Sequence, residues 1–123
     1  MKDITKSNED YLEAIFTLEK GEGVKSVDVA AALGVTKAAV SIAMNDLTAK
    51  GLVDKESYGT ISLTETGKRV AESTLLKHAL IKKVLVGIGV SPETAEEECC
   101  KIEHILSDET LECIKKACEK QGF

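Results

Sequence analysis

The stretch "SVDVAAALGVTKAAVSIAMNDLTAKGLV", Ser26 to Val53, limits the fold more than any other part of the chain. Two short apolar-periodic runs lie on either side of Gly34. Each opens on a hydroxyl residue able to cap a helix, Ser26 for the first and Thr36 for the second. Val27, Val29, Ala30 and Leu33 are the apolar positions of the first run. In the second, Val40, Met44 and Leu47 fall on one face and leave Lys37, Ala38, Ser41 and Asn45 more exposed. Two short helices joined through a glycine turn are the signature of a helix-turn-helix. "GLVDKESYGTISLTETG" follows at once: Leu52 and Val53 begin a strand, "ESYGT" turns, and Ile61 to Leu63 return. A hairpin directly behind a helix-turn-helix predicts a winged helix.

The flanking segments predict further helices. Upstream, "SNED" offers Ser7 as N-cap with Asp10 three residues on, a capping box. Tyr11, Leu12, Ile15, Phe16 and Leu18 then form an apolar stripe that "GEG" ends. Downstream, Thr64 caps a long helix with a broad apolar face from Val70 to Ile88. Ser91 with Pro92 at the first helical position opens another, and Ser107 opens the last. The chain is thus predicted to be mostly α, with a winged helix-turn-helix over residues 1–68 and an all-helical domain over residues 69–123. Three helices are too few to close those apolar faces by themselves, so the second domain is expected to dimerise.

Composition narrows the class. Only 3% of residues are aromatic and none is Trp, so the core must be aliphatic. The longest apolar run, Val84 to Val90, falls far short of the roughly 20 residues that span a bilayer. Acidic residues among the first ten do not match a secretory signal. A cytoplasmic protein with no membrane partner is expected, its four cysteines reduced. Net charge is −5, but residues 35–69 carry five basic against four acidic side chains, so non-specific phosphate attraction is modest.

"CCKIEHILSDE" poses the chemical question, because one of only two histidines stands there beside an acid. On a helix, Cys100, Glu103 and His104 sit at i, i+3 and i+4, sharing a face. Asp10 and Glu13 are three apart on the first helix, and His78 lies on the long one. These O, N and S donors suit a divalent transition metal. The same residues also read as a small core hydrophobe, Cys100, with Glu103 and His104 solvated and Asp10 serving a cap. Spacing alone leaves both readings open, since it does not show that the helices meet.

Whole segments of the chain resemble the metal-dependent transcriptional repressors of the diphtheria toxin repressor and manganese transport regulator family. "EDYLEAIF" resembles the family's first-helix motif, "AAALGVTKAAVSIAMNDLTAKGLV" its helix-turn-helix, and "LTETGKRVA" its exit from the wing. "CCKIEHILSDET" resembles its metal-binding signature, Cys/Glu-x-x-Glu-His-x-x-Ser. The resemblance implies a homodimeric, non-enzymatic repressor of metal-homeostasis genes that binds double-stranded operator DNA when loaded with metal. It implies Asp10, Glu13, His78, Cys100, Glu103 and His104 as ligands. Asp10 and Glu13 are like the manganese branch and Cys100 like the iron branch. This hybrid set points to Fe(II) first and Mn(II) second, with Co(II), Ni(II) or Zn(II) accepted in vitro. Lys82 and Glu96 stand where iron-type members carry a Glu and a His, so their ancillary site is not expected here. The chain stops at Phe123, so the SH3-like third domain of longer members is expected to be absent. The family's ligand placement implies that metal fixes the DNA-binding half relative to the dimer half, setting the separation of the recognition helices.

On the recognition helix, Thr36 and Ser41 are placed to donate to phosphates and Lys37 to neutralise one, with Ala38 and Ala39 against thymine methyls. The alanines equally read as residues small enough to allow close approach. Tyr58 and Gly59 at the wing tip read either as backbone contacts or as a plain turn. Two other classes stay in view. One is a winged-helix regulator sensing oxidants through Cys99 and Cys100 without metal. The other is a metalloenzyme activating water, for which the sequence offers no separate base.

Overall fold

The computed structural model describes residues 4–55 and 59–122. Among them are six helices and three short strands. In chain order these are α1 (Lys6–Leu18), β1 (Val24–Lys25), α2 (Ser26–Leu33), α3 (Lys37–Ala49), β2 (Val53–Lys55), β3 (Thr60–Leu63), α4 (Glu65–Gly87), α5 (Pro92–Ile102) and α6 (Asp108–Gln121). The mostly α, winged helix-turn-helix class expected from sequence is the one observed. Contacts divide the chain into two compact units, Met1–Ser73 and Thr74–Phe123, so the division falls inside α4. No single helix among the described residues is long and apolar enough to cross a membrane.

In the first unit, α2 and α3 meet at 109°. The turn works because Gly34 takes φ 66°, a left-handed conformation that costs glycine little. Its N–H and that of Val35 both reach the Ala30 carbonyl, satisfying the end of α2. Leu12, Ile15, Val29, Val40, Met44, Leu47, Leu52 and Ile61 are fully buried together, and Val24, Val53 and Ala71 complete an aliphatic core drawn from every element of the unit. The wing is antiparallel in the order β1-β3-β2, with Val24 opposite Ile61 and Val53 opposite Leu63. The centre of its turn, including Tyr58, lies outside the described residues.

Two expected caps are corrected. Helix α1 starts on Thr5 rather than Ser7: the Asn8 N–H donates to Thr5 Oγ1 and the Thr5 N–H to Asn8 Oδ1, each at 3.1 Å. Asn8 supplies at the third position the acceptor a capping box needs, and Asp10 instead pairs with Lys6 at 3.2 Å. Ser26 is the first residue of α2, not its cap. Pairing of β1 with β3 keeps Lys25 extended, and the helix begins immediately after it. Thr36, Ser91 and Ser107 cap α3, α5 and α6 as expected, accepting from Ala39, Thr94 and Thr110.

Asn8 does more than cap. It is 4% exposed, its amide donates to Asp46 Oδ2 at 3.0 Å, and its oxygen accepts from Lys50 Nζ at 2.7 Å. These bonds pin α1 to the C-terminal half of α3. Thr64 fixes the start of α4 in the same way, its N–H donating to the Leu52 carbonyl (3.1 Å) and its hydroxyl to that of Gly51 (2.7 Å).

The second unit has a smaller core, in which Ile81, Cys99 and Leu111 are buried and Leu85, Ile102 and Leu106 pack against them. Leu76, Val86, Ile88 and Ile105 stay exposed, Ile105 by 80%.

Candidate metal centre and recognition surface

Helix α3 separates its two faces cleanly. Val40, Met44 and Leu47 are buried, while Thr36, Lys37, Ala38 and Ser41 are exposed and Ala39 is half-buried. Ile42 is 72% exposed, an apolar side chain open to solvent beside Ser41. Gly59, at the described edge of the wing turn, is exposed with φ 78°. The Asn8 amide, and then the Lys50 ammonium, hold the Asp46 carboxyl below its usual range, so this carboxylate stays ionised behind the exposed face.

In the second unit the imidazole of His78 on α4 faces the C-terminal end of α5. Its Nδ1 lies 3.1 Å from Glu103 Oε2, 3.6 Å from Cys100 Sγ and 3.6 Å from Cys99 Sγ. Its Nε2 lies 2.8 Å from Glu96 Oε2 and 3.4 Å from Cys99 Sγ. His104 Nε2 approaches Glu103 Oε1 at 3.4 Å. Glu103 is 3% exposed, a carboxylate withdrawn from water between two imidazoles. Water therefore does little of the solvation of this group. Imidazole, carboxylate and thiol converging in one place form a donor set that fits a divalent transition metal.

Four of the six predicted ligands are thus linked by contacts, His78 to Cys100 and to Glu103, and Glu103 to His104. Asp10 and Glu13 lie on α1 in the first unit, half-buried and three residues apart. The expectation that Cys100, Glu103 and His104 share a helix face needs correcting. Helix α5 stops at Ile102, with Glu103 as its C-cap, and the Ile105 N–H turns back to the Ile102 carbonyl at 3.1 Å. That tighter bond swings His104 off the helix, and its imidazole still reaches the Glu103 carboxylate.

Two neighbours were not singled out from sequence as part of this centre. Glu96 holds the far side of His78 and is itself held by Lys82 Nζ at 3.2 Å. The His78 contact, then Lys82, lowers its carboxyl below the usual range. Cys99 is fully buried, and burial, reinforced by Cys100, Glu96 and Glu103, pushes its thiol up to about 12. At neutral pH it is a thiol, not the activated thiolate an oxidant sensor uses. The i, i+1 spacing gave no reason to place both cysteines beside one ring. Only the packing of α5 on α4 does so.

Comparison with known proteins covers nearly the whole chain. The iron dependent repressor N-terminal DNA binding domain matches residues 3–61, and the iron dependent repressor metal binding and dimerisation domain matches residues 64–121. An uncharacterised HTH-type transcriptional regulator of Methanocaldococcus jannaschii is 42% identical over 120 residues, 95% of this chain and 96% of that protein. The transcriptional regulator MntR of Escherichia coli is 34% identical over 116 residues, 93% of this chain and 74% of that protein. Among solved structures, a manganese-dependent transcriptional repressor in complex with manganese matches with a TM-score of 0.78 and 29% identity. That match covers 94% of this chain and 53% of the other, so the chain spans about half of it.

Proposed function

The chain is a metal-dependent transcriptional repressor of the iron dependent repressor family, a family of DNA-binding regulators rather than enzymes, and we propose Fe(II), ahead of Mn(II), as its co-repressor. The proposed ligands are Asp10, Glu13, His78, Cys100, Glu103 and His104. The observation that carries this reading is His78, which contacts both Cys100 and the buried Glu103 carboxylate, a carboxylate that His104 also reaches. Asp10 and Glu13 enter the set on the family resemblance alone. A thiol among the donors favours Fe(II) over Mn(II), which prefers all-oxygen and nitrogen surroundings. Co(II), Ni(II) and Zn(II) are expected to substitute in vitro.

The proposed partners are double-stranded operator DNA and a second copy of the chain, in the cytoplasm. Exposed Leu76, Val86, Ile88 and Ile105 in a unit with so small a core support the homodimer. Thr36, Lys37, Ala38, Ala39 and Ser41 are proposed to contact DNA, with Tyr58 and Gly59 at the wing. Metal strengthens DNA binding only through its higher affinity for the DNA-competent conformation. Genes of metal-ion homeostasis are the proposed targets. Sensing of oxidants by Cys99 and Cys100 is the weaker reading, because Cys99 holds its proton so tightly.

The test is anaerobic fluorescence anisotropy on DNA from upstream of the protein's own gene, without metal and with Fe(II), Mn(II), Co(II) or Zn(II). Binding should tighten at least tenfold with Fe(II), the scale of ordinary allosteric coupling, and Glu103→Ala should abolish the response. Affinity indifferent to every metal would refute the co-repressor reading. A response to Mn(II) alone would refute the order of metals.

A further inference from the structure

We propose that Cys99, which the family motif does not assign, is a ligand alongside Cys100, so that the centre binds its metal through two sulfurs and selects a thiophilic divalent ion. This deepens the repressor reading above and rests on it for His78, Cys100 and Glu103.

The geometry carries the proposal. Adjacent residues on a helix point about 100° apart and do not normally share a ligand. Here the ring of His78 approaches the surface of α5 between them, and the ligand atoms of His78, Cys99 and Cys100 all lie within 4.8 Å of one another. His78 Nδ1 is 3.6 Å from each sulfur and 3.1 Å from Glu103 Oε2. A tetrahedral ion with metal–sulfur bonds near 2.3 Å and metal–nitrogen or –oxygen bonds near 2.0–2.1 Å separates its donors by about 3.5 Å for S···N and about 3.3 Å for N···O. The three measured separations are each within about 0.2 Å of those edges. His78 Nδ1 is therefore spaced from each sulfur and from the carboxylate oxygen as one donor of a tetrahedral ion is from its neighbours.

Burial adds to this. Cys99 is fully enclosed and the His78 and Glu103 side chains are 17% and 2% exposed, whereas Cys100 is exposed and gives the ion a way in. Cys99 packs with Ile81 and Leu111, and its sulfur also contacts both nitrogens of an imidazole and the Glu96 carbonyl, the latter at 3.4 Å. On binding, each thiol releases its proton to solvent and ligates as thiolate. Two thiolates favour Zn(II), Co(II) and Fe(II) and disfavour Mn(II) more strongly than one does.

The experiment is anaerobic titration of the full chain with Co(II), read by the thiolate-to-cobalt charge-transfer absorption. Wild type is compared with Cys99→Ser, Cys100→Ser and Cys118→Ser, the last a buried cysteine of the same unit outside the cluster. The charge-transfer intensity per bound cobalt should fall by about half in each of the first two and stay whole in the third. Intensity unchanged by Cys99→Ser overturns the proposal. If Cys99→Ser does not fold, X-ray absorption on the cobalt-loaded wild type counts the sulfurs directly: two sustain the proposal and one overturns it. DNA binding by the same wild-type sample separates the two readings. Metal-dependent binding with a single sulfur sinks the role of Cys99 alone, whereas two sulfurs with metal-indifferent DNA binding sinks the co-repressor reading alone.

Discussion

Replacing Gly67 by Ala should destabilise the DNA-binding unit, although Ala is the better helix former. Gly67 lies in the first turn of α4, where a Cβ would come 2.0 Å from the Leu52 carbonyl oxygen and 3.4 Å from Leu63 Cδ2. A relaxed carbon–oxygen contact is about 3.3 Å, so α4 and the corner between α3 and β2 must part by roughly 1.3 Å. Helix propensity alone predicts a gain of about 1 kcal/mol. Parting breaks the Thr64 bonds to Leu52 and Gly51, each contributing about 1 kcal/mol. Residual overpacking costs about 1–3 kcal/mol more. The net is a loss of about 2–4 kcal/mol, a fall in Tm of roughly 10 °C for a chain of this size. Thermal unfolding followed by circular dichroism measures it, with Glu72→Ala on the exposed face of α4 as control. A Gly67→Ala protein that melts at or above the wild-type temperature would refute the packing described for this corner.

Three further outcomes follow from single residues. Thr36→Ala removes the acceptor for the Ala39 N–H and should cost about 1 kcal/mol in denaturant unfolding; no loss would mean the cap is not formed. Lys37→Ala should weaken DNA binding about equally on every sequence and lower the salt slope of log K by about 1; a change confined to one base position would mean that Lys37 reads sequence. Asp46 has its folded pKa depressed by Asn8 and Lys50, so its stabilisation is present above its unfolded pKa near 3.9 and is lost as pH falls through the lower folded value. The Tm advantage of wild type over Asp46→Asn should be full at pH 6 and shrink below about pH 4; an advantage that grows with acid would reverse the assigned sign.

Much of this molecule is legible in its sequence because its signals are local. Thr36, Ser91 and Ser107 each precede an apolar-periodic run, and each caps the helix expected. Val40, Met44 and Leu47 mark the buried face of α3 by spacing alone. Failures come where a distant partner decides. Strand β1 has two residues, too few to show alternation, and exists because Ile61 and Thr60 pair with it. That pairing also displaced the expected cap from Ser26. At the other end of the chain, the i+4 spacing of His104 assumed a helix that stops two residues earlier. Cys99 carries no outward sign of its neighbour: buried in an aliphatic core it reads as a small hydrophobe, and its contact with His78 spans 21 residues.

The central claim is that metal and DNA favour the same conformation, and thermodynamic reciprocity tests it most directly. The factor by which saturating Fe(II) tightens operator binding must equal the factor by which saturating operator DNA tightens Fe(II) binding. Both affinities are to be measured anaerobically on the same wild-type protein, the first by anisotropy and the second by competition with a chelator of known affinity. The account predicts equal factors of ten or more, both collapsing to one in Glu103→Ala. DNA that leaves the Fe(II) affinity of the wild type unchanged would contradict it.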